Sequence, residues 1–185
     1  MGNTIIGIDP SINSTGICVK GDDSIKYYMI VSKKTKKMKD FKNPNLVIFD
    51  YIKKDTKDLD YPKKEYIKAY NVYQICDLVN KIIMVNQPKK ILMEGISYGS
   101  VSGASLADLS GLNFALRNVF IENKIPFEII SPTSVKKFAT ANGNADKNLI
   151  IDAWKRLDPN IKNIKDIKVD DLADSYFIAH YTDEP

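Results

Sequence analysis

Two cysteines and a single histidine leave this chain of 185 residues almost without soft metal ligands or imidazole bases. Cys18 and Cys76 stand far apart in apolar segments, which excludes a cysteine-based zinc site and reads as two small buried side chains in a reducing compartment. Long apolar runs are missing too. Those present are short and interrupted, and the first carries Asp9 inside it, so neither a membrane span nor a signal peptide is expected and the protein is read as intracellular. No Gly-rich phosphate loop, His-Glu-x-x-His helix or nucleophile elbow occurs, which argues against a nucleotide cofactor and leaves the common hydrolase signatures unmatched. His180, six residues from Asp174, lies off that residue's helical face and reads as a helix-end residue.

What remains is the composition of an ordinary folded domain, 44% hydrophobic and 27% charged. A chain of this length buries about two thirds of its unfolded surface and folds without staples. The net charge of +4 hides an uneven layout, since KKTKKMKDFK at 33–42 holds six lysines and one acid. Such clustering suits a polyanion, because each lysine that neutralises a phosphate releases condensed counterions. A solvated, lysine-rich surface is the plainer reading of charge alone.

Along the chain, NTIIGIDPS is a buried strand stopped by Pro10, and TGICVK and IKYYMIV are two more, separated by the turn GDDS. An amphipathic helix follows, with Tyr66, Tyr70, Tyr73, Cys76, Val79 and Ile83 at helical spacing on one face expected to be buried, in the core or against a second copy. KKILMEGIS gives a fourth strand, SLADLSGLNFALRNVFIEN a second helix, IPFEIISP a fifth strand, and the remainder is helical in three pieces. This order predicts one α/β domain over 1–185, with a five-stranded mixed sheet flanked by helices and a lysine-rich insertion at about 33–60. Ligand sites in such sheets lie beyond the strand carboxyl ends.

Two acids fall at such ends. Asp9 closes the first strand and Glu94, one of only five glutamates, closes the fourth behind Ile91, Leu92 and Met93, where burial is costly without a compensating cation. The last helix adds Asp170, read as a cap, and the i, i+3 pair Asp171 and Asp174 on a core-facing side with Ile178. Four converging carboxylates repel, and hard divalent cations resolve the repulsion. Magnesium, with manganese as a substitute, is the natural occupant, as two ions about 3.5–4 Å apart. That arrangement suits phosphodiester hydrolysis.

Here the residues resemble a family. GIDPSINSTGICV resembles the opening of RuvC-type Holliday junction resolvases, ILMEGI their second acid, and DDLADSYFIAHY their paired terminal acids. PFEIISPTSVKKFATANGNADKNLI extends the likeness, with Lys136 and Lys147 spaced eleven apart like the family's two functional lysines. The resemblance covers most of the chain outside about 33–60 and implies a ribonuclease H-like fold and a homodimer that nicks two symmetric strands of a four-way DNA junction. Asp9, Glu94, Asp171 and Asp174 are then the metal-binding carboxylates and Lys147 the catalytic lysine at the scissile phosphate. Lys136, with Lys137 beside it, binds junction backbone, and Lys33, Lys34, Lys36 and Lys37 of the insertion join the DNA surface. The long interval from Asp9 to Glu94 places the chain nearer the phage and organellar branches than the bacterial enzymes. Tyr98, close behind Glu94, is the candidate for the family's base-stacking wedge or simply covers a Gly-rich loop. Arg117, on the second helix, fits a dimer interface, DNA or solvent. The same carboxylates would also serve a nuclease of flaps, forks or RNA/DNA hybrids. An actin-like ATP-binding fold, which needs about twice this length, and a non-catalytic DNA-binding module are the remaining readings.

Overall fold

The computed structural model describes residues 3–51, 53–54, 56–96, 103–158 and 169–182. The chain builds β1 (Ile5–Asp9), β2 (Ser14–Lys20), β3 (Ile25–Val31), α1 (Lys36–Asp40), β4 (Leu46–Asp50), α2 (Tyr61–Asn86), β5 (Lys90–Glu94), α3 (Gly103–Glu122), β6 (Phe127–Ile130), α4 (Pro132–Thr140), α5 (Lys147–Leu157) and α6 (Asp170–His180). The sheet has six strands in the order β4-β3-β2-β1-β5-β6, one more than the expected five. The extra strand is β4, inside the segment read as an insertion. Its Leu46–Phe49 run pairs parallel with β3, so an apolar edge strand lies directly after the lysines. The pairs β1–β2 and β2–β3 are antiparallel, whereas β1–β5 and β5–β6 are parallel.

Strand alternation sorts the side chains onto two faces. Ile6, Ile8, Ile17, Ile91 and Met93 point to one face, where they meet Ile75, Val79 and Ile83 of α2 and Leu112, Leu116 and Phe120 of α3. Cys18, Met29 and Leu92 point to the other, covered by α4, α5 and α6. Both cysteines are buried and free. The α5 helix is fastened to β3 by Trp154 Nε1, which donates to Tyr27 Oη at 3.0 Å, and by Tyr27 Oη, which donates to the buried Asp158 at 2.7 Å.

Two glycines set how closely α6 lies on the sheet. A Cβ built on Gly7 would stand 2.3 Å from the backbone N of Ala179, and one on Gly16 would stand 2.0 Å from the carbonyl O of Asp171. Only hydrogen fits at either point. Because Gly16 is the ladder partner of Asp9, this close approach sets Asp171 directly beside the end of β1.

Of the expected stripe, Cys76, Val79 and Ile83 are buried, with Asn71, Ile75 and Ile82 beside them, whereas Tyr66 and Tyr73 are 65% and 63% exposed and lie outside this chain's core. A single helical period joins residues of two faces here. Phenol rings tolerate water through their hydroxyls, so their periodicity does not mark a core.

Candidate active site at the carboxyl edge of the sheet

Asp9 and Glu94 share the face that α6 covers, since Gly7 and Leu92 precede them by two residues and lie under that helix. The parallel register Ile8↔Met93 puts the two acids at neighbouring strand ends. From above, α6 contributes Asp171, which is buried, and Asp174, one turn on and partly buried. The four carboxylates thus occupy one corner of the sheet, and each of Asp9, Glu94 and Asp174 is perturbed by acids of this group.

Burial first, then the charges of Glu94, Asp174 and Asp171, push Asp9 well above the usual carboxylate range. Burial and Asp174 raise Glu94 to about 7, opposed by Lys136, by a hydrogen bond with Asp9 and by Lys147. Burial and Asp171 raise Asp174 to about 6. A carboxylate raised in the folded state stabilises the fold while protonated, and that contribution is lost as pH rises through its folded pKa. Stability without divalent cation is therefore expected to fall between about pH 4 and pH 7. Glu94→Gln, which cannot ionise, should raise Tm at about pH 8 by a few degrees, on the order of 4 °C, and change it little at about pH 5. Equal melting of the two proteins at the higher pH contradicts this electrostatic picture.

Lys147 opens α5 behind the N-cap Asp146, whose side chain accepts from Leu149 N at 3.0 Å. Its Nζ lies 2.5 Å from Asp170 Oδ2, with the lysine side chain 68% exposed and the aspartate side chain 7%. Asp170 raises the lysine's pKa, and Lys147 in turn draws down Asp9, Glu94 and Asp174. Asp170 is therefore not the helix cap that its place in the sequence suggests. The cap position is Val169, without a side-chain cap bond, and Asp170 holds the lysine beside the carboxylates. Lys136 on α4 is partly buried and close enough to act on Glu94 and Asp174, whereas Lys137 is exposed.

Sequence reasoning also missed Asn113. It is fully buried on α3, its Nδ2 donates to the backbone O of Glu94 at 3.2 Å, and its Oδ1 accepts from Arg117 Nε and Nη2 at 3.0 and 2.6 Å. Arg117, which also lies 4.4 Å over the Phe114 ring, thereby supports the strand end that carries Glu94. The signal was a polar residue at i, i+3, i+7 spacing with Leu116 and Phe120.

Of the insertion lysines, Lys33, Lys36 and Lys37 are exposed, and Lys34 pairs with Asp50 at 3.3 Å. Since β3 runs parallel to β1, they leave the sheet at the same edge as Asp9, two strand spacings or about 10 Å to the side. Tyr98 lies outside the described residues.

The donor set is all carboxylate oxygen, partly or fully buried and crowded with like charge, which fits a hard divalent cation. Among the described residues no three Asp, Glu, His or Cys side chains are gathered tightly enough to form a ready-made cage. The four acids share a corner and one another's field.

No protein-family model and no curated protein matches the sequence. Solved structures do. Thermus thermophilus RuvC aligns over 95% of this chain and 90% of its own with a TM-score of 0.59 at 16% identity, and T. thermophilus RuvC in complex with a Holliday junction substrate gives 0.61 at 18% over the same shares. The yeast mitochondrial Holliday junction resolvase Ydc2 gives 0.53 at 20%, over 95% of this chain and 75% of that one. The chain has the ribonuclease H-like fold of the RuvC resolvases.

Proposed function

We propose that the protein is a metal-dependent endonuclease that resolves four-way and related branched DNA junctions by phosphodiester hydrolysis. The observation that carries this is the corner where Asp9, Glu94, Asp171 and Asp174 meet, with Lys147 held at its rim by Asp170. The likeness to RuvC bound to a Holliday junction supports the choice of substrate.

The four carboxylates would hold magnesium or manganese, as a pair of ions. Such ions activate water and stabilise the departing 3′ oxygen. Lys147, an exposed ammonium on a fixed helix start, meets the non-bridging oxygens of the scissile phosphate. Lys136 and Lys137 on α4 bind backbone alongside. A homodimer would present two such corners to two strands, and the exposed Phe114 and Ile121 on one face of α3 support an apolar contact with a second copy.

The test is cleavage of an immobile four-way junction in magnesium beside duplex, flap and RNA/DNA hybrid. Paired nicks on the junction alone are expected. Preferential cutting of flap or hybrid assigns the same carboxylates to another substrate, and no cutting of any of them rejects the nuclease. Neutralising Lys33, Lys34, Lys36 and Lys37 should flatten the salt dependence of junction binding by about 0.9 in log-log slope for each phosphate that is no longer neutralised. An unchanged slope makes those lysines ordinary solvated surface.

A further inference from the structure

On the α2/α3 side of the same sheet edge lies a cleft of about 720 Å³ that the four carboxylates do not use. Its walls include Ile12, Lys53, Lys54, Ala69, Ala107 and Gly111. Ile12 stands three residues beyond Asp9, in the turn between β1 and β2, so the cleft and the carboxylate corner are the two sides of one rim.

The lysines of this cleft are organised. Lys53 Nζ donates to Asn13 Oδ1 at 2.7 Å. The backbone of Lys54 is clasped by the buried Asn71, whose Oδ1 accepts from Lys54 N at 3.2 Å and whose Nδ2 donates to Lys54 O at 3.4 Å, and its Nζ lies 4.4 Å over the Tyr70 ring. Lys68 is already engaged by Glu65 and Asp108. Lys68, Glu65 and Asp108 line the cleft as well, so with the exposed Lys53 and Lys54 its charged rim is net positive beside Ile12, Ala69, Ala107 and Gly111.

Gly111 adds an independent observation. Gly7 and Gly16 are explained by α6, but a Cβ on Gly111 would meet nothing within 4 Å. Glycine inside a 20-residue helix weakens it relative to alanine. Among the described residues no packing calls for one there, and the space it leaves borders the cleft.

We infer that this cleft receives one unpaired nucleotide of the branched DNA, its base against Ile12, Ala69, Ala107 and Gly111 and its phosphates on Lys53 and Lys54. The inference rests on the proposed function and names a second subsite of it. The volume is that of a small-ligand pocket. A paired duplex offers only base edges in its grooves, whereas unpaired or weakly stacked bases at a branch point are cheap to extrude. A strand crossing the rim would present its scissile phosphate to the carboxylates on one side and a neighbouring base to the cleft on the other.

The test uses four-way junctions with 2-aminopurine at single positions around the crossover, bound by full-length Asp9→Asn protein. One position should change its emission on binding, and Gly111→Leu, which fills open space with a better helix former, should abolish that change and weaken junction binding about tenfold. Ala69→Leu fills the cleft from α2 and should act alike. The double variant Lys53→Ala/Lys54→Ala should lower the salt slope by about 1.4–1.8. If the parent binds junctions selectively and neither filling variant alters the 2-aminopurine response, the cleft assignment is wrong and the resolvase reading stands. If filling changes the sedimentation of the free protein and leaves the response intact, a second copy occupies the cleft and the assignment is again wrong. If the parent does not prefer junctions over duplex, the function itself has failed.

Discussion

Asp9→Asn is expected to abolish junction cleavage, lowering its rate by about 10²–10³-fold or more, the scale seen when one preorganised electrostatic partner of a transition state is removed. The substitution keeps the shape of the side chain at the end of β1 and removes its charge. Asp9 is the acid on which the fields of Glu94, Asp174 and Asp171 all converge. Removing its charge relieves that repulsion, so the variant should fold at least as stably as the parent in the absence of divalent cation. It should also bind junctions as well or better, because one fewer negative charge faces the phosphates. Strand cleavage and binding are measured on the same preparation by gel and by fluorescence anisotropy. Loss of binding together with cutting would mean that Asp9 is a structural residue.

The second large effect is expected from packing alone. Gly16→Ala puts a methyl group 2.0 Å from the Asp171 carbonyl oxygen, a separation no packed structure tolerates. The obstacle is helix backbone, so α6 must lift. Overpacking of this kind costs about 3 kcal/mol or the variant does not fold, and in a protein of this size about 3 kcal/mol corresponds to a fall in Tm on the order of 10 °C. Because α6 carries both Asp171 and Asp174, activity should fall further than stability, surviving in neither magnesium nor manganese. Gly111→Ala is the contrast, with open space at its Cβ, and should be neutral or stabilising. Thermal melts of the three proteins read this directly. A Gly16→Ala protein with parental Tm and activity would show that α6 does not approach the sheet as described.

The carboxylate corner is legible in the sequence for a local reason. A run of buried strand residues that ends in an acid, as at Ile8–Asp9 and Met93–Glu94, states both the strand and the cost of the charge, and the i, i+3 pair Asp171 and Asp174 states a helical face. Less is legible where two signals overlap. The lysines at 33–42 hide the short Leu46–Phe49 strand behind them, because charge dominates any reading of composition across that interval. Asp170 reads as a cap because a first-turn aspartate always suits the helix dipole, and its bond to Lys147 spans 23 residues that no local pattern connects. The tyrosines of α2 show the reverse failure. Their periodicity is real, with Tyr66 and Tyr70 stacked at 6.4 Å, but periodicity alone does not say which side faces the core.

Asp9, Glu94, Asp171 and Asp174 are proposed to form one divalent-cation site. Titration calorimetry of manganese into the full-length protein at neutral pH, repeated in two buffers of different ionisation enthalpy, tests it most directly. Saturable binding with release of protons is expected, since burial and the neighbouring acids raise the proton affinity of Asp9 and bring Glu94 to about 7. Asp9→Asn and Asp174→Asn should each weaken binding severely. Binding that is absent in the parent, or unchanged in both variants, would contradict the shared site.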